Sequence, residues 1–478
     1  VGPLYGVVEA ASRRGASDSP SPARVVVGMA EQAGSAPLGL PEAATAVAAA
    51  RTRRSPSRAA QVADSQRKRV LSAVLAAIVL VLLAMRTEIQ SGLTIGYLLA
   101  ALLTPLWIPA LRLYRGARLL IVTGLFAVGS GLWLTQSFAA THDTSNGQMF
   151  ALSVGLVGIL CGIGVVLWCR TVLSDAQVAL WFGLGLLLGV TPSSELFLTN
   201  PWKFGYSFAL TLMVLALARQ TGRRWLELLA VAGFTLIAAY TDARSAFAIL
   251  LLTAVIVLWQ MRPGRRNRTA STAWLVLVVG ILTAVVYLIA QALILDGTLG
   301  QETQVRSDAQ VQTSGSLILG GRPEAAATAA LMLHQPLGFG TGTVPSSEDI
   351  LAAKSGLSRI GYDPDNNYVD IYMFGGHVEL HSIVGDFWAW FGVPGLLLTA
   401  VLVTVVLRGV AAGIAGGTAS AVTLYAVIKL FWALPFGPVY SSATLMILAV
   451  GLAAMPRSAA SESQPERGRA HRPAMSPD

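Results

Sequence analysis

The stretch GGHVELHSIVGDFWAWFGVPGLLLTAVLVTVV occupies residues 375–406. Its second half stays apolar for long enough to enter a bilayer core, which takes about 20 residues of helix to cross. Its first half carries His377 and His381 at the mouth of that apolar run. An imidazole placed there caps the helix, binds a metal or does chemistry at a membrane surface. Which of these applies depends on what shares its side of the bilayer.

Outward from this stretch, apolar runs recur from Val70 to Ala454. The 478-residue chain is 54% hydrophobic and 12% charged, whereas soluble domains carry about 25% charged residues. The runs lack the strict alternation of membrane strands. The expected fold is therefore all-α, a polytopic membrane protein of about twelve transmembrane helices. Residues 1–69, rich in Ala, Ser, Pro and Arg, read as a disordered N-terminal tail. Spans 1–9 are expected within 70–295, a large loop at 296–381, spans 10–12 within 382–456, and a second tail at 457–478.

The net charge of +9 sits in short loops: LRLYRGAR (111–118), RQTGRR (219–224) and MRPGRRNR (261–268). Residues 296–380 instead hold ten acidic and four basic residues. The positive-inside rule then places the arginine loops and both termini in the cytoplasm, and the long loop outside. This distribution marks membrane orientation and gives no basis for expecting nucleic acid as a partner. Cys161 and Cys169 lie eight residues apart in one apolar run, a spacing that forbids a disulfide within a helix.

On this orientation Arg244, Arg322, His377 and His381 share the outer face. An ionisable group at a span mouth is costly unless partnered, which makes each a candidate. His381 reads either as a helix cap or as a general base, a role that contributes roughly 10²–10⁴-fold in rate. Arg244 is either an interface arginine paired with Asp242 or a phosphate ligand. Arg322 either opens a loop helix or does the same work, since a guanidinium fork matches phosphate oxygens. His377, Arg359 and Asp386 are weaker candidates for orienting substrate.

A metal is not expected. HVELH puts histidines at i and i+4, but Glu379 falls on another helical face and no third ligand has suitable spacing. In GYDPDNNYVD (361–370) the calcium-loop pattern fails at Tyr368 and Phe374. Its D-x-D belongs to nucleotide-sugar enzymes, whose substrates are missing from the outer face. Gly338, Gly340 and Gly342 lack a surrounding strand–helix unit and instead allow tight turning near a substrate or membrane surface.

Three segments together carry a family resemblance: TDARSAFAILLL (241–252), GRPEAAATAALMLHQPLGFGTGTV (321–344) and HSIVGDFWAWFGVPGLLL (381–398). In order and spacing the chain resembles the O-antigen ligase and O-antigen polymerase family of bacterial membrane glycosyltransferases. The resemblance implies a GT-C-like helical fold in the bacterial inner (plasma) membrane. It implies transfer of a glycan from a polyprenyl-diphosphate carrier to an acceptor hydroxyl on a glycan or glycolipid, with inversion and no cofactor. His381 then stands at the family's catalytic histidine, and Arg244 and Arg322 at its essential arginines. Ser382 replaces the family's Asn, and Ala243 its Ser. A transferase using polyprenyl-monophosphate sugars and a transporter of lipid-linked glycans stand as alternatives; the latter requires ionisable residues near the bilayer midplane, where few are expected.

Overall fold

The structure is a computed structural model that describes residues 58–241, 243–262, 272–295, 304–305, 307–308, 311–312 and 322–457. Almost all of both expected tails, and much of the expected loop, lie outside these residues. The helices are α1 (Arg58–Met85), α2 (Ile95–Leu102), α3 (Thr104–Ala110), α4 (Ala117–Phe138), α5 (Asn146–Cys169), α6 (Asp175–Leu188) and α7 (Glu195–Thr199). They continue with α8 (Ser207–Gln220), α9 (Arg224–Tyr240), α10 (Arg244–Gln260), α11 (Thr272–Leu295), α12 (Glu324–His334) and α13 (Ser347–Arg359). The last four are α14 (Ile383–Phe391), α15 (Val393–Ala415), α16 (Ala421–Phe436) and α17 (Val439–Ala453). One small hairpin, β1 (Glu88–Gln90) with β2 (Leu93–Thr94), departs from the all-α expectation.

This is a membrane protein by its helices. Gln66–Met85, Ala117–Phe138, Asn146–Cys169 and Val393–Ala415 are each long and apolar enough to cross a bilayer. Helices α2 and α3, bent by 69°, make a fifth crossing when taken together. Other expected spans coincide with shorter apolar helices, among them α6, α10, α16 and α17.

Local chemistry sets the boundaries. The expected span over 382–407 breaks at Gly392, whose φ of 66° is open to glycine alone at low cost. A Cβ there would lie 2.5 Å from the Leu337 carbonyl oxygen. Pro394 then sits in the first turn of α15, where its missing N–H costs nothing. Helix α14 is thus a separate nine-residue element, and α15 alone is the crossing. In the interior, small residues admit close helix contact: Gly162 meets Ile447 of α17, and Gly451 meets Val166 of α5. Cys161 and Cys169 are buried free thiols in α5.

One end of the bundle is closed by saturated ion pairs. Glu227, fully buried, receives Arg219 at 3.2 Å and Arg224 at 3.7 Å, and accepts from the Ala421 backbone N–H at 2.7 Å. Arg224 also donates to the Ala419 and Gly417 carbonyls at 2.7 Å each, locking the α8–α9 turn to the start of α16. Nearby, Arg170 binds Asp175 at 2.7 Å and the Gly451 and Ala454 carbonyls at 2.7 and 2.9 Å.

One charge, Lys429, lies along the apolar helix α16. It is the ninth of the 16 residues of α16, and its ammonium lies 5.3 Å from the centre of the Phe208 ring.

Candidate functional site

At the opposite end, the PLGFGTGTV segment is laced to two helices. Phe339 and Gly340 both donate backbone N–H groups to the Ala389 carbonyl, at 2.7 and 3.0 Å. Thr341 N–H donates to the Gly131 carbonyl, and Gly342 N–H to Thr135 Oγ1. Gly340 has φ 109°, and a Cβ there would stand 2.5 Å from the Thr135 nitrogen. The glycines therefore serve close approach of backbone to helix.

The HVELH segment is not helical, so the i, i+4 reading of its faces does not apply. It is pinned from three sides. Trp390 Nε1 donates to the Val378 carbonyl at 2.6 Å. Glu379 N–H donates to the Met373 carbonyl at 2.9 Å. Leu380 N–H donates to Asp386 Oδ1 at 2.7 Å. The other Asp386 oxygen accepts from Val439 N–H at 3.1 Å. Asp386 is fully buried, and its two oxygens fix the histidine turn against the start of α17.

His381 emerges from this clamp with φ 48°, a left-handed conformation that costs a non-glycine residue about 1–2 kcal/mol. It does not cap α14. That work falls to Ser382, whose Oγ accepts from Gly385 N–H and donates to the Leu434 carbonyl, both at 3.1 Å. The ring of His381 packs on Tyr368 at 5.3 Å between centres. Its Nε2 lies 3.9 Å from Glu379, while Nδ1 is buried with no hydrogen-bond partner among the described residues. An orphaned buried polar atom costs about 1–3 kcal/mol. Strain and an unmet hydrogen bond on one side chain are what functional sites tend to store.

Glu379, set aside in the sequence because helical geometry turned it away, lies between the two histidines. Its second oxygen is 3.6 Å from His377 Nε2. The hydrogen bond to Glu379 raises the His377 pKa above its ordinary value, against the opposing effect of burial. Among the described residues no group of three or more His, Cys, Asp or Glu side chains is arranged to hold a metal.

Tyr368 joins this cluster to the long loop. Its hydroxyl hydrogen-bonds to the buried Glu324 carboxylate. Burial, followed by the Glu324 charge, pushes the phenol well above its usual range, while the nearby Arg322 charge acts the other way. Arg322 thus stands at the entry to α12, within electrostatic reach of the tyrosine that packs on His381. Arg244 opens α10 and donates to Ser307 Oγ at 2.7 Å. Among the described residues no hydrogen bond, ion pair or ring contact joins Arg244 to His381. Asp242, its expected partner, lies outside the described residues. Arg359 is exposed on the last turn of α13 and makes no such contact with His381 either.

Two further features bear on the site. An apolar groove of about 450 Å³ runs between α10, α11, α15 and α16, with Ala248, Leu252, Ile428 and Trp432 among its walls. Separately, one carboxylate bridges two imidazoles. Asp349 lies 3.0 Å from His142 Nε2 and 3.1 Å from His334 Nε2, tying the α4–α5 loop to α12 and α13. The sequence reading gave Glu324, Glu379, Tyr368 and this bridge no part in the site. Only HVELH offered a signal, through the clustering of its polar residues. Comparison of the chain with models of protein families, with curated proteins and with solved structures gives no match.

Proposed function

We propose that the protein is a glycosyltransferase of the bacterial plasma membrane, resembling the O-antigen ligases. In this reading about twelve spans carry a large extracytoplasmic loop, and both termini are cytoplasmic. A glycan carried on a polyprenyl diphosphate enters with its lipid tail in the groove between α10 and α16. Arg322 and Arg244 hold the diphosphate, whose charge grows as it leaves. The acceptor hydroxyl gives its proton to His381, and its oxygen bonds to the anomeric carbon. The bond from that carbon to the diphosphate breaks, releasing polyprenyl diphosphate and inverting the centre.

The observation that supports this most is His381 itself: strained, clamped by Asp386 through the preceding residue, and with one buried nitrogen unpartnered. A deletion strain complemented with His381→Ala tests it. Lipid-linked glycans accumulate in that strain as in the deletion, while the wild-type gene clears them. Clearance by a His381→Ala protein that is present at wild-type level removes the base assignment.

A transporter of lipid-linked glycans is the second reading, favoured by one observation, the lysine inside α16. Protease-sealed vesicles separate the two. A transporter moves labelled lipid-linked glycan between leaflets without changing it, and the transferase cleaves it.

A further inference from the structure

Lys429 is a charged residue in the middle of an apolar helix that the reading above leaves unused. It sits midway along a helix wrapped by neighbours: α16 packs against α8, α10, α14 and α17. Part of the lysine's surface nevertheless remains open. Its ammonium meets the face of Phe208, and among the described residues no carboxylate pairs with it. A charged amine inside a span without a counter-ion marks a ligand path more often than a structural strut.

Its helix runs up to the histidine turn. The Leu434 carbonyl, five residues further along α16, accepts from the hydroxyl of Ser382, which follows His381 directly. Five residues of helix rise about 7.5 Å, so Lys429 lies roughly that far below the histidine turn along the α16 axis. Phe208, under the ammonium, belongs to the first turn of α8. Just ahead of that turn is a π-helical segment, Trp202–Tyr206, a distortion frequent at functional sites. Asn200, just before it, donates to the Thr241 carbonyl at 3.2 Å, in the turn that leads to Arg244. Lys429 is thus linked through Phe208 to the start of α8, and along its own helix through Leu434 to the histidine turn.

We propose that Lys429 is a third cation for the anionic head of the lipid carrier and contacts the phosphate nearest the lipid. This rests on the transferase reading and adds depth to it. In a lipid diphosphate the lipid-side phosphate lies deeper in the membrane than the sugar-side one. The two mouth arginines suit the outer phosphate, and a lysine below them suits the inner. Lysine fits that place because its compact ammonium on a flexible stem needs no planar fork.

The test measures binding of polyprenyl diphosphate and of uncharged polyprenol to the full chain in nanodiscs, for wild type, Lys429→Met and Lys429→Arg. Wild type binds the diphosphate more tightly than the alcohol. Lys429→Met weakens diphosphate binding about tenfold, which corresponds to about 1.4 kcal/mol, and leaves polyprenol binding alone. Lys429→Arg keeps most of the preference. Thermal unfolding without ligand supplies a readout independent of binding. If the lysine is held for a ligand, Lys429→Met melts at or above wild type, because an unpaired charge has left the span. A lower melting temperature together with unchanged diphosphate affinity overturns the proposal and makes the lysine a strut on Phe208. Unchanged diphosphate affinity in a stable Lys429→Met protein overturns it alone and leaves the transferase reading in place. No preference for diphosphate in wild type removes both.

Discussion

The two ends of the bundle treat buried charge in opposite ways. At the Glu227 end the charges are answered in a closed network: one carboxylate meets two arginines and a backbone N–H, and one of those arginines also takes two carbonyls. At the His381 end the backbone is strained, Nδ1 is orphaned, and carboxylates sit singly among aromatic and imidazole rings. Saturated networks fix turns in place, whereas unmet groups leave bonding capacity for something that arrives. Cavity size is the weaker guide. A cavity of about 770 Å³ lies at the Glu227 end, lined by Arg170, Arg219 and Thr423, yet among the described residues none in its walls is strained or orphaned.

Breaking the saturated end carries the largest cost. Removing one partner of a buried ion pair destabilises by about 3–5 kcal/mol, so Glu227→Ala lowers detergent stability sharply, read as early aggregation in a thermal scan. A melting curve like that of wild type contradicts the contrast between the ends. Gly340→Ala comes next. Its φ of 109° and the 2.5 Å approach to the Thr135 nitrogen give a cost of about 1–3 kcal/mol, seen as a lower melting temperature. Near-normal stability means that the loop segment docks less tightly than described.

The smallest effect is titration of His377. Pairing with Glu379 raises its folded-state pKa above the unfolded value of about 6.5. The pair therefore adds stability that is fully present below that value and is lost as pH rises through the raised one. In Glu379→Gln, NMR titration of labelled histidine shows the His377 value falling. An unchanged value assigns the shift to the Gly375 carbonyl, which His377 Nδ1 also meets at 3.2 Å.

Much of this was legible in the sequence, and the remainder has physical reasons for being hidden. Apolar runs gave the membrane class, because crossing a bilayer demands length and hydrophobicity that nothing else mimics. The helix beginning just after His381 was readable, and Gly392 followed by Pro394 already marked a break that a span over 382–407 ignored. Glu379 was misplaced because HVELH was read with helical periodicity, while Trp390 and Asp386 hold it in another shape. Tyr368 and Glu324 stand 44 residues apart, and no local spacing encodes a contact made by tertiary folding. Lys429 was visible as a single charge in an apolar run, yet only the packing of Phe208 shows where its ammonium lies.

The central claim is that the orphaned imidazole takes a proton during glycan transfer. Turnover of a lipid-diphosphate glycan by purified wild-type and His381→Gln protein, followed as release of polyprenyl diphosphate, tests it most directly. The account predicts a fall of about 10²–10⁴-fold with donor binding and helix content unchanged. Release at the wild-type rate by a folded His381→Gln protein contradicts it.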